Sequence, residues 1–419
     1  MNKEFYTSNR ERTFNLLPKG SISVFFSGKA KQRTNDEFYK FTVNKNFYYL
    51  TGLDKQNMIL ALFKGKESHA FLFIEENNEF YETWLGKRMT KEEASENTGI
   101  PVSQIKYIND FHSLISYALT ASRVDVNDYQ FLYIDLLRFA GLEVNTMEHN
   151  FAKEARDKYP ELQIKNSQKI LSELRMYKSP EEIKEMEGAI EITNRGIQAI
   201  MKNASPGLYE YQIESFYKQS LAFDNSVESF KTIMAGGLNA TIYHYEDNNT
   251  VVNDGDMVLF DLGAVNNWYS SDISRTIPVN GKFSDRQKVL YQIVLDVNKA
   301  AIKEVKPGIT MGELNEFAKN MIAERLIEIG LITDAKDVGK YYAHVISHHI
   351  GLDVHDTALN SRKLEKGMVI TVEPGIYIKE ENIGIRIEDD VLVTKNGSKN
   401  LSKNIIKEID DIEQMMKKI

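Results

Sequence analysis

Histidine is unevenly placed in this 419-residue chain: of eight, five fall between positions 244 and 355, and His344, His348, His349 and His355 sit within twelve positions. One imidazole alone would be an ordinary structural or surface residue. The run YYAHVISHHIGLDVHD, however, groups several around a short Gly-containing turn. Carboxylates supply the rest of the chemistry. Asp261 and Glu373 close the apolar runs MVLFD and MVITVE, which places both at or inside a core, where an unpaired carboxylate is expensive. Coordination to a divalent cation removes that cost. Asp272 follows Asp261 at a distance that lets a strand turn back, so an antiparallel hairpin can bring the two together. Arg386 and Glu388 alternate with Ile385 and Ile387, so both polar groups share one face of a strand. Four carboxylates and one imidazole form an oxygen-rich set that suits two divalent ions, Mn²⁺ ahead of Co²⁺, Zn²⁺ or Fe²⁺. Two ions about 3.5 to 4 Å apart hold a water between them, lower its pKa and polarise a carbonyl, which makes hydrolysis the natural reaction.

Such side chains need strands that end at a common place, and the chain has them. Asp256 to Leu262, Ser274 to Pro278, Gly367 to Glu373 and Ile385 to Val393 read as strands, interrupted by amphipathic helices at Ser284 to Glu304 and Met311 to Ile329. The first two resemble the last two: GDMVLFD and GMVITVE each end in a carboxylate six residues after Gly, and SPGLYEYQIE and KPGITMGELNE each put Pro-Gly before a helix. Either a unit is duplicated, with one acidic pair per half, or a simple strand pattern has recurred. A helix starts at Pro180, with Ser179 as cap and Glu182 completing a capping box. Upstream, Ser21 to Gly28, Met58 to Gly65 and His69 to Glu75 read as strands of a mixed sheet, and Asp110 to Ala121 and Asn150 to Tyr159 have helical spacing. These elements predict an N-terminal α/β domain over 1–170 and a second domain over 171–419. With 42% apolar and 27% charged residues the chain is a folded globular protein, and with no cysteine it has no thiolate ligand or nucleophile. A net charge of -8 speaks against nucleic acid or anionic lipid as partner. The start lacks a signal-like apolar stretch and no run is long enough to span a bilayer, so the expected location is the cytoplasm, with no membrane partner.

The set Asp261, Asp272, His348, Glu373 and Glu388, embedded in FDLGA, SSDISRT, SHHIGLDVHD, TVEPGIY and GIRIEDD, resembles the two-metal site of the pita-bread metallopeptidases. The likeness is closest to the Xaa-Pro aminopeptidases (aminopeptidase P) and includes NKNFYYLTGL, ETWLGKRMT, MYKSPEEI and TIPVNGKF. It implies an α+β fold, a pita-bread catalytic domain after a smaller α/β domain that builds oligomers and caps the active site. It further implies hydrolysis of an N-terminal Xaa-Pro bond by a hydroxide held on two metal ions. Asp272 and Glu388 then bridge the ions, Asp261 binds one, and His348 and Glu373 bind the other. His244 and His355 match histidines that contact substrate and stabilise the tetrahedral intermediate, and His344 matches a further active-site histidine. Arg386 matches an arginine that orients a bridging carboxylate. Trp84 matches a tryptophan that reaches a neighbouring subunit's active site in a homodimer or homotetramer. The chain departs from the family's pattern at Val345, where Gly is common, and at His349, where an aromatic is common. Two other functions fit related sequences: a dipeptidase cutting only Xaa-Pro dipeptides, and an inactive relative serving as a binding protein.

Overall fold

The apolar runs of the N-terminal third pair into one mixed sheet. The computed structural model describes residues 1–120, 129–138, 146–359 and 361–417 and divides into two units, Met1–Leu174 and Arg175–Ile419. In the first, the strand order is Ile105–Tyr107, Ser68–Ile74, Ile59–Lys64, Ser21–Phe26, Phe131–Ile134, Gln163–Asn166. The middle strands pair antiparallel and the outer ones parallel. Ser21–Phe26 is buried at every position, as expected of a central strand covered on both faces. On one face Val24, Phe26 and Phe73 pack against Phe111 and Phe151 of the helices Phe111–Leu119 and Met147–Lys158, with Phe73 and Phe111 rings 5.2 Å apart. The helical stretch expected to Ala121 ends at Leu119 among described residues, and Ala121 lies outside them.

The second unit opens with the helix Pro180–Asn203. Glu182 N–H donates to Ser179 Oγ at 3.3 Å and Ser179 N–H to Glu182 Oε2 at 2.8 Å, closing the capping box with Pro180 in the first turn. One order of elements, two helices joined by a Pro-Gly turn and then antiparallel strands, occurs twice in this unit. The first pass is Pro180–Asn203, a Pro206-Gly207 turn, Glu210–Phe223, then the antiparallel strands Ile233–Gly236, Met257–Leu262 and Ile273–Pro278. The second is Asp285–Glu304, Pro307-Gly308, Met311–Glu328, an extended edge at residues 346–350, then Val369–Val372 paired with Asp389–Val393. Gly255 and Gly367, which lead into the two middle strands, have φ of 87° and 94°, a region L side chains avoid. Both observations favour a duplicated unit over chance recurrence.

Register decides where the carboxylates go. Asp261 faces Ser274 across its hairpin, so Asp261 and Ser274 share a face that Asp272, two residues earlier, also shares. In the second half the pairing Val372↔Asp389 puts Glu373 and Glu388 one step past the last pair. The strand expected over Ile385 to Val393 is broken into Ile383–Arg386 and Asp389–Val393. At the break Ile387 N–H goes to Pro374 O at 3.2 Å and Glu388 N–H crosses to Ser274 O at 3.1 Å. This switch of partners carries Glu388 from the second half's strands to the first half's hairpin.

Candidate metal centre

Asp272, His348 and Glu388 each bring a ligand atom within 4.8 Å of the others. His348 Nε2 lies 3.3 Å from Asp272 Oδ2 and 3.6 Å from Glu373 Oε1. Its Nδ1 is 3.1 Å from His349 O, an acceptor, so the proton sits on Nδ1 and Nε2 turns a lone pair toward the carboxylates. Asp261 joins through Arg386, whose Nη2 donates to Asp261 Oδ2 at 2.6 Å. Arg386 meets Glu388 indirectly: its Nε donates to Ser274 Oγ at 2.8 Å, and Ser274 Oγ donates to Glu388 Oε2 at 2.7 Å. Thr371 Oγ1 donates to Glu373 Oε1 at 3.3 Å and accepts from His348 N–H at 3.1 Å.

Without a cation this arrangement is electrostatically unfavourable. Burial, followed by the neighbouring carboxylates, pushes Asp272 and Glu388 well above the usual carboxyl range. Burial likewise pushes Glu373 up to about 8, although Arg386 works against it. Burial and then His355 hold His348 down at about 4, so its imidazole is neutral and its lone pair faces oxygen lone pairs. Among the described residues Asp261 Oδ1 and Asp272 Oδ1 are buried with no hydrogen-bond partner. Buried polar atoms are rarely left in that state. A divalent ion satisfies those oxygens, the imidazole lone pair and the excess negative charge together, so the residues fit a metal.

The other expected residues sit in different surroundings. His355 stacks edge-on against His348 with centroids 4.4 Å apart. His244 is exposed, near enough to lower the proton affinity of His344 and His355 after burial's own effect. His344 belongs to a hydrogen-bonded chain in which Arg386 Nη1 donates to Tyr377 Oη at 3.0 Å, Tyr377 O–H to His344 Nε2 at 2.9 Å, and His344 Nδ1–H to Val345 O at 2.8 Å. The neutral tautomer this requires agrees with burial holding His344 at about 4. His349 is buried, its backbone bridging to Ile370. Trp84 belongs to the N-terminal unit, on the helix Glu79–Leu85, and is 74% exposed. Sequence analysis missed Ser274, Thr371 and Tyr377. Ser274 and Thr371 had a usable signal: each lies two residues from a carboxylate, Asp272 or Glu373, on the same face of its strand.

Residues 184–395 match the profile of metallopeptidase family M24, and residues 6–126 match that of the aminopeptidase P N-terminal domain. The chain is 34% identical to the Xaa-Pro aminopeptidase of Haemophilus influenzae, covering 99% of this chain and 97% of that one. It is 30% identical to the Xaa-Pro aminopeptidase of Escherichia coli over 99% and 98% of the two chains. The solved structure of zinc-substituted E. coli aminopeptidase P with product superposes with a TM-score of 0.90 at 28% identity, covering 99% of this chain and 98% of that one. The architecture is accordingly α+β, a smaller N-terminal α/β unit followed by the pita-bread unit that carries the acidic cluster. On the profile match and the full-length relatives together, this chain belongs to metallopeptidase family M24.

Proposed function

We propose that this chain hydrolyses the peptide bond between an N-terminal residue and a following proline. The observation that carries the reading is the convergence of Asp272, His348, Glu373 and Glu388 with two buried, unpartnered carboxylate oxygens. The full-length relatives named Xaa-Pro aminopeptidase supply the substrate class. Two divalent ions suit the donor set, with Mn²⁺ favoured because carboxylate oxygens dominate it. Asp272 and Glu388 would hold both ions, Asp261 one, and His348 with Glu373 the other. When bound, such ions lower the pKa of a water and polarise the scissile carbonyl.

The chain's own groups do the rest. Glu373, through Oε2, the oxygen Thr371 leaves free, or a neighbouring carboxylate takes the proton of the attacking water and returns it to the leaving proline nitrogen. His355, whose proton affinity is lowered by partial burial and then by His244, donates its N–H to the oxygen on which charge develops. His244 contacts the substrate from the exposed side. Arg386 anchors Asp261 and, through Tyr377, fixes the orientation of His344. We further assign the N-terminal unit to assembly: in a homodimer or homotetramer the exposed Trp84 indole packs on substrate while Lys87 and Arg88 keep the rim solvated.

The test is a peptide Xaa-Pro-Xaa incubated with the protein and Mn²⁺, with the same peptide carrying Ala in place of Pro as control. Release of the first residue from the Pro peptide alone is expected. No cleavage, or equal cleavage of the Ala peptide, overturns the reading. Cleavage of an Xaa-Pro dipeptide with the longer peptide spared would make the chain a dipeptidase.

A further inference from the structure

The loop that carries His244 is held by a buried carboxylate. Glu210, at the start of the helix Glu210–Phe223, is fully buried (0% exposed), and among the described residues no Lys or Arg pairs with it. Four donors converge on it instead. Oε1 accepts from Gly236 N–H at 2.8 Å and Asn239 Nδ2 at 3.0 Å. Oε2 accepts from Tyr245 O–H at 2.8 Å and Thr250 N–H at 2.9 Å. A carboxylate has about four lone-pair sites, so this one is saturated.

The attachment points run from Gly236 to Thr250 and bracket His244, with Tyr245 its immediate neighbour. On the other side Tyr243 packs its ring 5.3 Å from His344 and 4.6 Å from Tyr377. One side chain therefore sets both ends of the segment and the residue next to the histidine. The second half has a corresponding arrangement on the helix Met311–Glu328, where Asn315 Oδ1 accepts from Ile346 N–H at 3.1 Å, between His344 and His348. In each half, the helix after the Pro-Gly turn grips the segment bearing an active-site histidine.

We propose that Glu210 is a positioning residue for the reaction, acting through His244 by fixing the loop from Gly236 to Thr250. The inference rests on the reading of His244 as a substrate-contacting residue. Glutamine is isosteric but presents one oxygen, so its amide NH₂ would face one pair of the four donors and release that end of the loop.

The experiment measures kcat, KM, bound Mn²⁺ and thermal unfolding for Glu210→Gln, His244→Ala and the double variant, on an Xaa-Pro-Xaa peptide. Glu210→Gln should lower kcat/KM by about 10²-fold, the scale of a displaced catalytic contact, with bound metal unchanged. The double variant should be no slower than His244→Ala alone. Full activity in Glu210→Gln, or losses that multiply in the double variant, would overturn the proposal. Should Glu210→Gln fail to fold, Tyr245→Phe withdraws a single donor. It should cost roughly tenfold, as one lost hydrogen bond does, and cost nothing in the His244→Ala background. An unimpaired His244→Ala enzyme overturns the role of His244 itself. An impaired one beside an unimpaired Glu210→Gln overturns only the part given to Glu210.

Discussion

Replacing Ser274 by alanine removes the hydroxyl that stands between Arg386 and Glu388. That hydroxyl accepts from Arg386 Nε at 2.8 Å and donates to Glu388 Oε2 at 2.7 Å, and both partners are buried. A hydrogen bond to a charged group contributes about 1.5–3 kcal/mol. The two losses are unequal in consequence. Arg386 keeps Tyr377 and Asp261, whereas Glu388 loses the donor that orients the oxygen it would turn to an ion. Assigning one such bond, about 2 kcal/mol, to the metal centre predicts roughly 30-fold weaker metal binding. That lies within the ~10–100-fold range seen when a ligand's hydrogen-bond partner is removed. The assay is recovery of peptidase activity as free Mn²⁺ is titrated into stripped enzyme. The Ser274→Ala midpoint should move about 30-fold to higher Mn²⁺, with much of kcat restored at saturation. An unmoved midpoint would mean that Glu388 is positioned by its backbone alone. Irrecoverable activity would mean that Ser274 itself takes part in the reaction.

Three further outcomes are expected. His355→Ala should lower kcat by about 10² or more, as loss of a transition-state donor does, while bound metal is unchanged; loss of metal would make His355 a ligand. Asp389 gives a pH dependence: burial opposes its ionisation, but Arg275 at 3.0 Å and Lys407 at 2.6 Å outweigh it and hold the carboxyl far below the usual range. Its folded-state pKa is depressed, so its contribution is present above the unfolded value of about 3.9 and is lost as pH falls toward the folded one. Asp389→Asn should therefore be less stable at neutral pH yet lose less on acidification below about pH 4 when unfolding is followed by circular dichroism; parallel curves would contradict this. Trp84→Ala should raise KM for tripeptides and longer substrates without altering fold or metal content, and a strictly monomeric, fully active parent by light scattering would remove the basis for it.

The carboxylate cluster was legible because charged groups at strand ends contradict their apolar surroundings. Asp261 after MVLF and Glu373 after MVITV are residues that a core rejects unless something compensates them. The helix at Pro180 was equally plain, since a capping box is a local signal. The break in the strand after Arg386 was not. Ile385 and Ile387 continue the apolar alternation, and the cause, Glu388 bonding to Ser274 through backbone and side chain alike, lies 114 residues away in sequence. Tyr377 and Glu210 were hidden for a similar reason. A tyrosine or a helix-start glutamate is ordinary in isolation, and its partners become visible only when strands and turns from distant segments come together.

The strand break also bears on how the protein comes into being. Glu388 reaches Ser274, and Arg386 reaches Asp261 across 125 residues, so the first half alone holds Asp261 and Asp272, the second Glu373, Glu388 and His348, and neither the whole set of proposed ligands. Contacts of such high sequence separation close late, because loop entropy must be overcome before they form. A zinc finger folds around its ion; here neither half alone brings all five proposed ligands together, so the full set exists only once the two halves have docked. Metal should consequently leave the refolding rate unchanged and slow unfolding, acting as a latch on a finished structure rather than as a template for it.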